Sequence, residues 1–188
     1  MVGSGTIRVG DIKYRDLNGD GKINADDKCM ISKYGYNPRL MYGFGATVNW
    51  RKWDFGFFFT GAGCRTIYLN GKMLPGQNSN QVYMNVHKWV YENAFNPEEG
   101  NFDAQFPLPD IATGTTNNNQ YSTYWLRNGS YLRLRSVELG WSFKYGRIYT
   151  SGLNLLCFSG FKLWDPELNT PYKYPLQRTV NVGVQFNL

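Results

Sequence analysis

Residues 179–188 read Thr-Val-Asn-Val-Gly-Val-Gln-Phe-Asn-Leu, and their two parities differ completely. Val180, Val182, Val184, Phe186 and Leu188 fall on one face; Thr179, Asn181, Gly183, Gln185 and Asn187 fall on the other. A strand repeats every two residues, so the pattern predicts one apolar and one polar face. The polar face carries no charge, and the stretch lacks the Lys, Glu or Pro that usually guards the edge of a soluble sheet. Lipid on one side and a polar lumen on the other require this alternation.

Four more segments predict strands. Leu40–Trp50 sets Tyr42, Phe44, Ala46, Val48 and Trp50 against Met41, Gly43, Gly45, Thr47 and Asn49. Trp53–Ala62 sets Trp53, Phe55, Phe57 and Phe59 against Asp54, Gly56 and Thr60. Only Arg51-Lys52 lies between them, which predicts a hairpin. Tyr131–Lys144 starts with Leu132 and Leu134 on one parity and continues with Val137, Leu139, Trp141 and Phe143 on the other. That switch near Arg135-Ser136 predicts a β-bulge. A less regular strand runs from about Arg147 to Phe158, and the last one starts near Gln177.

These segments are about 10 to 14 residues long. Globular strands are mostly about 5–6 residues, whereas a tilted strand crosses a bilayer in about 9–11. The connections alternate in size: Arg51-Lys52 and Tyr145-Gly146 are short, whereas 63–130 and 159–176 are long. Membrane barrels have short turns at one end and long loops at the other. Trp50, Trp53, Trp141, Phe143, Tyr145 and Phe186 then share the short-turn end, as an aromatic girdle would. The fold class expected is all-β: the final strands of a large antiparallel transmembrane β-barrel with long extracellular loops. Its bland rival is a soluble sandwich with aromatic core rows. Residues 1–39 read as an extracellular loop and 40–188 as about five barrel strands. Within the loop at 63–130, Val82–Ala94 reads as a helix ended by Asn96-Pro97, and Thr113–Asn119 as a flexible tip.

Composition supports a β-protein, with 17% aromatics and 21 glycines. The net charge is +6, but the 20 Lys and Arg are scattered, with no run longer than two. Nucleic acid is therefore not expected as a partner. Arg133 and Arg135 alternate on one strand and suit a groove or lumen. Cys29, Cys64 and Cys157 share no metal-type spacing and read as free or buried thiols. No apolar run reaches the length of a membrane helix. The start, Met1-Val2-Gly3-Ser4-Gly5-Thr6, has no apolar signal core, which predicts a cytosolic chain or a piece targeted from elsewhere.

The sharpest chemical motif is Asp16 to Asp27, which fits the D-x-[DN]-x-[DN]-G calcium loop. Asp16, Asn18 and Asp20 supply side-chain oxygens, and Gly21 permits the sharp turn. Lys22 offers its carbonyl, Asn24 acts directly or through water, and Asp27 takes the place of the usual bidentate Glu. A structural Ca2+ of modest affinity is expected; the alternative is a turn-rich loop built on Asn-Gly and Asp-Gly. His87 is the sole histidine and makes no metal site or triad. Glu98, Glu99 and Asp103 read as a solvated acidic patch rather than a glycosidase pair. Asn128-Gly129-Ser130 matches a glycosylation sequon but reads as a turn before a strand. With no catalytic constellation, an enzyme is not expected and no catalytic residue is assigned. Tyr83, Trp89 and Tyr121 could stack on sugars or simply pack the loop.

Three stretches resemble the SusC/RagA family of TonB-linked outer-membrane transporters of Bacteroidetes, in that family's order. They are Gly10-Asp11-Ile12-Lys13-Tyr14-Arg15 running into the Asp16 loop and on through Asn37-Pro38-Arg39 to Phe44, then Tyr124–Arg135, and Asp165-Pro166-Glu167 through Tyr174-Pro175 to the last strand. The end is also similar to the β-signal read by the barrel-assembly machinery, with Asn181, Gly183, Phe186 and Leu188 in the signal positions. The cysteines and the short stretch 144–149 depart from the family pattern. The resemblance implies a plugged barrel of about 22 strands. It also implies import of glycan or peptide fragments powered by TonB, a SusD-like lipoprotein lid, and localisation in the bacterial outer membrane. About five strands cannot close on themselves, so they need the lipid bilayer and the remaining barrel strands and should not transport alone. A reading from a different class is a soluble calcium-dependent binding module, since Asp16–Asp27 also resembles half of a dockerin.

Overall fold

A computed structural model describes residues 7–69, 88–108, 117–118, 120–168, 170–171 and 173–187. They fall into two compact units, residues 34–67 with 127–188, and residues 1–33 with 68–126. Residues 68–126 of the expected long loop thus group with the N-terminal segment.

The first unit holds a five-stranded antiparallel sheet in the order β1-β2-β5-β6-β7. Its strands are β1 (Leu40–Trp50), β2 (Trp53–Gly63), β5 (Tyr131–Phe143), β6 (Gly146–Ser159) and β7 (Thr179–Phe186). Two short strands, β3 (Thr66–Tyr68) and β4 (Leu126–Asn128), pair separately inside the stretch expected to be loop. β1 has the expected bounds. β7 starts two residues later than expected, and β6 starts at Gly146, so the second short turn is Lys144-Tyr145. Both hairpins close on two residues, with Trp50 opposite Trp53 and Phe143 opposite Gly146. Arg51 holds φ 57°, a left-handed conformation that tight hairpins need and that glycine adopts more readily.

The bulge expected near Arg135-Ser136 is present. On β2, Phe58 and Phe59 are consecutive, yet they face Ser136 and Leu134, so Arg135 is the extra residue. Opposite β6, Leu134 pairs with Leu156 and Ser136 with Leu153, so Asn154 and Leu155 together face the single Arg135 and β6 carries one extra residue. Asn154 adopts φ 54° there, a conformation Asn tolerates better than most side chains. This double irregularity is why the alternation of 147–158 reads poorly in the sequence.

The described residues of the second unit form little regular structure. Its helix α1 spans only Lys88–Glu92; the expected start at Val82 lies outside the described residues. At the other end, the Asn93 side chain donates to the Trp89 carbonyl. Ala94 then bridges to Phe106 instead of continuing the helix. Trp125, Phe106, Val90 and Leu69 are the fully buried side chains of this unit. Asn117 and Asn118, expected in a flexible tip, are buried and pin residues 11–14. Asn118 Oδ1 accepts from the Ile12 amide at 2.8 Å, and its Nδ2 donates to Asp11 Oδ1 at 2.8 Å. The Tyr14 hydroxyl donates to the Asn117 carbonyl. Burial pushes the Tyr14 phenol well above the ordinary tyrosine range. The buried neutral hydroxyl thus contributes stability that declines as pH rises past about 10. Buried amides favour such a network because polar atoms away from water need partners, although Asn117 Oδ1 is left without one among the described residues.

Candidate functional site

The register carries one parity of each strand onto one face of the five-stranded sheet. Phe44 faces Phe59, Val48 faces Phe55, Phe55 faces Leu139, Trp141 faces Ile148, and Ile148 faces Val184. Thr150 opposite Val182 is the polar exception, and its hydroxyl donates to the Asn181 carbonyl. No Asp, Glu, Lys or Arg falls on this face between the two ends of the strands. Yet its side chains are exposed: Phe44 52%, Phe158 55%, Val182 76%. Contiguous exposed apolar surface of this extent marks an interaction surface.

At the hairpin end the face finishes in a row of rings. Trp53 and Trp141 have centroids 6.4 Å apart, Trp141 and Phe143 5.8 Å, and Phe143 and Phe186 6.4 Å. Trp50 pairs with Trp53 at the start of the row. Beyond it, Arg51 lies over Trp50 and Lys144 over Tyr145, each about 5 Å from the ring centroid. Cations just outside an aromatic row suit a membrane–water interface.

The opposite face carries the charges, and they are paired. Arg147 on β6 reaches across β5 to grip Asp54 through two nitrogens, and it donates to Glu138 Oε1 at 2.6 Å. Gly140 leaves the space for this crossing, because a Cβ there would stand 2.4 Å from both Arg147 Nη2 and Asp54 Oδ2. Near the other end, Arg133 Nη2 meets Asp165 at 2.6 Å and its Nε meets Glu167 at 2.8 Å. The bulged Arg135 reaches the same Glu167 oxygen at 2.9 Å. Arg65 donates to the Pro166 and Tyr36 carbonyls and lies 4.6 Å from the Tyr36 ring centroid. Three arginines thus converge on Asp165-Pro166-Glu167. Sequence reasoning placed Arg133 and Arg135 on a groove or lumen face but gave Arg65 and that acidic segment no structural role.

The residues expected to form an assembly signal divide between the faces. Asn181 pairs with Ser151 and Gly183 with Tyr149 on the polar face, whereas Phe186 joins the aromatic row. Gly183 sits beneath the Tyr149 ring, where a Cβ would stand 2.4 Å from Tyr149 Cζ. Leu188, His87 and Tyr83 lie outside the described residues. Trp89 packs edge-on to Phe106, and Tyr121 stacks on Tyr68. Ser130 donates its amide to Asn128 Oδ1, which makes 128–130 the expected turn. Cys29, Cys64 and Cys157 are free.

The Asp16–Asp27 loop is held by its own side chains. Asp16 accepts from the Gly19 and Gly21 amides, Asp20 from the Lys22 amide, and Asn18 from the Asp20 amide. Asp27 accepts from the Leu17 and Asn24 amides, and Asn24 caps a 3-10 turn at Ala25–Asp27. The Asn24 and Leu17 amides hold the Asp27 carboxyl below the usual carboxylate range. Its contribution to the loop is present at neutral pH and lost as pH falls through that lowered value. Gly19 and Gly21 take φ 78° and 76°, the left-handed turns that the motif calls for. Among the described residues, no group of three or more His, Cys, Asp or Glu is gathered to hold a metal ion. A cation here would therefore depend on the amide and carbonyl oxygens of Asn18, Asn24 and Lys22 as well as on the acids. The described residues flanking the loop form no α-helix.

A sheet with one uncharged, exposed apolar face, a ring of aromatics at one end and an ion-paired polar face is a piece of membrane β-barrel wall. Among the described residues, no helix is long and apolar enough to cross a membrane. No family model matches the chain. It is similar to TonB-dependent receptor P26 of Formosa agariphila, 31% identical over 173 residues that cover 85% of this chain and 16% of that protein. It is also similar to TonB-dependent receptor SusC of Bacteroides thetaiotaomicron, 24% identical over 92% of this chain and 17% of that protein. Among solved structures, the RagAB peptide transporter matches with a TM-score of 0.63 and 22% identity over 88% of this chain and 19% of that one. RagAB in its open-open state matches with a TM-score of 0.61 and 21% identity, over 89% and 19%. By sequence and fold, the chain resembles one stretch of the TonB-dependent receptors represented by P26, SusC and RagAB. It spans less than a fifth of the length of the curated relatives named here.

Proposed function

We propose that this chain forms one stretch of the barrel wall of a TonB-dependent importer of glycan or peptide fragments. The observation that supports this most is the exposed apolar face, free of charge across five strands and backed by a polar, ion-paired face. Its role is passive: to separate lipid from lumen and to carry loops that meet cargo. A SusD-like lipoprotein and TonB are the partners proposed for the whole receptor, on the strength of the family. The purified chain is expected to stay monodisperse only in detergent, as read by size-exclusion chromatography with light scattering. A folded, monodisperse species in detergent-free buffer would reject the membrane reading.

We further propose that Asp16, Asn18, Asp20, Lys22, Asn24 and Asp27 hold one structural Ca2+. Support comes from the motif and from the left-handed Gly19 and Gly21, which tighten the loop as such sites require. Calorimetry is expected to show one weak calcium site that disappears in Asp16→Ala/Asp20→Ala. Equal calcium uptake by that variant would reject the assignment.

A further inference from the structure

We infer that the groove on the polar face of β2, β5 and β6 takes a cationic group, an ammonium or guanidinium, carried on a solute that moves along this wall. The inference rests on the importer reading above and adds a charge class to it. The groove encloses about 670 Å3 and is lined by Thr47, Ser136, Ser151, Asp54, Glu138 and Phe58 among others. Its two charged lining residues are both acidic. Among the described residues Arg147 is the cation bonded to both, so this trio of one arginine and two carboxylates carries one net negative charge. Asp54 takes the two-nitrogen grip of Arg147, whereas Glu138 receives a single bond and its side chain is 44% exposed. Glu138 therefore keeps acceptor capacity toward the groove.

Phe58 adds a second feature. It is the aromatic residue of β2 whose parity puts it on the polar face, and it is 43% exposed. The ring lies against β1 where that strand has only glycine: a Cβ at Gly43 would stand 3.1 Å from Phe58 Cζ, and one at Gly45 2.9 Å from Cδ2. Phe58 pairs with Ser136, and Glu138 is the next residue of β5 on that face. Such diagonal neighbours stand about 7–8 Å apart. A cation can sit between them, attracted by the ring and bonded to the carboxylate. Hydroxyls at Thr47, Ser136 and Ser151 would take up its remaining hydrogens. A neutral sugar could use the same ring and hydroxyls, but it would leave the surplus negative charge unanswered.

The test uses the full chain in a zwitterionic detergent, titrated with trilysine, with a trimer of glucosamine and with maltotriose. Both cationic probes are expected to bind, and maltotriose is not. Tighter binding of trilysine assigns the ammonium to a peptide source, and tighter binding of the glucosamine trimer assigns it to an amino sugar. Glu138→Gln leaves the Arg147–Asp54 pair in place and is expected to weaken binding about fivefold. Phe58→Leu should weaken it about threefold. Rising salt should weaken binding to the unaltered chain, a measurement that needs no variant. Maltotriose binding above trilysine, cation binding unmoved by Glu138→Gln, or binding insensitive to salt would overturn the inference. A chain that needs detergent but ignores trilysine removes this inference alone, whereas a chain monodisperse without detergent removes the importer reading as well.

Discussion

Arg133→Met is expected to destabilise the chain by about 3–5 kcal/mol, the cost of removing one partner from a buried ion pair. The Arg133 side chain is 4% exposed, and its partners Asp165 and Glu167 are 8% and 19% exposed. Without Arg133, Asp165 loses its cation among the described residues, because Arg135 bonds Glu167 and Asn154 instead. Arg133→Lys should recover part of the loss and no more, since a single ammonium cannot reproduce the separate Nε and Nη2 bonds to two carboxylates. Adding Asp165→Asn to Arg133→Met should recover most of it by removing the stranded charge. Urea unfolding of the chain from lipid bilayers reads all three. Equal stability of the Arg133→Met variant and the unaltered chain would show that the cluster does not hold residues 165–167 in place.

The second large effect is directional. Val182→Arg is expected to cost about 2–4 kcal/mol in a bilayer, while Asn181→Arg, one residue away, should cost little. The two positions point to opposite faces: Val182 pairs with Thr150 on the apolar side and Asn181 with Ser151 on the polar side. Depth gives a sharper check. Val182 lies four residues from Phe186 in the aromatic row, or about 13 Å along the strand, near the middle of an apolar band about 25 Å tall. Val184 lies two residues from that row, so Val184→Arg should cost distinctly less. A soluble protein with an exposed patch would show no such gradient. Equal costs at 182 and 184, measured by unfolding from bilayers, would reject the lipid assignment of this face.

The strands were legible because their physics is local. Alternation along β1, β2 and β7 gives the faces directly, and the parity switch at Arg135-Ser136 shows the bulge from one strand alone. β6 was less clear because one extra residue, with Asn154 and Leu155 together facing Arg135, breaks the alternation for a reason that lies in its pairing with β5. Asn117 and Asn118 were misread as a mobile tip because a Thr/Asn-rich composition favours loops. Their burial depends on partners at Asp11 and Ile12, more than a hundred residues away. In the same way, the sequence shows Arg133, Arg135, Asp165 and Glu167 but not that they meet.

The sequence by itself determined that this chain builds long two-faced strands with short turns at one end, since period, length and turn size are properties of consecutive residues. It also carries the likeness to the TonB-dependent receptors, through stretches matched in order along most of the chain. The tertiary structure decided which strands are neighbours, and with that the continuity of the apolar face from Phe44 to Val184. It decided that Arg147 serves two carboxylates and that Phe58 lies over the gap left by Gly43 and Gly45. These contacts join residues on different strands, and their energies depend on distance and burial, which register fixes and local sequence does not.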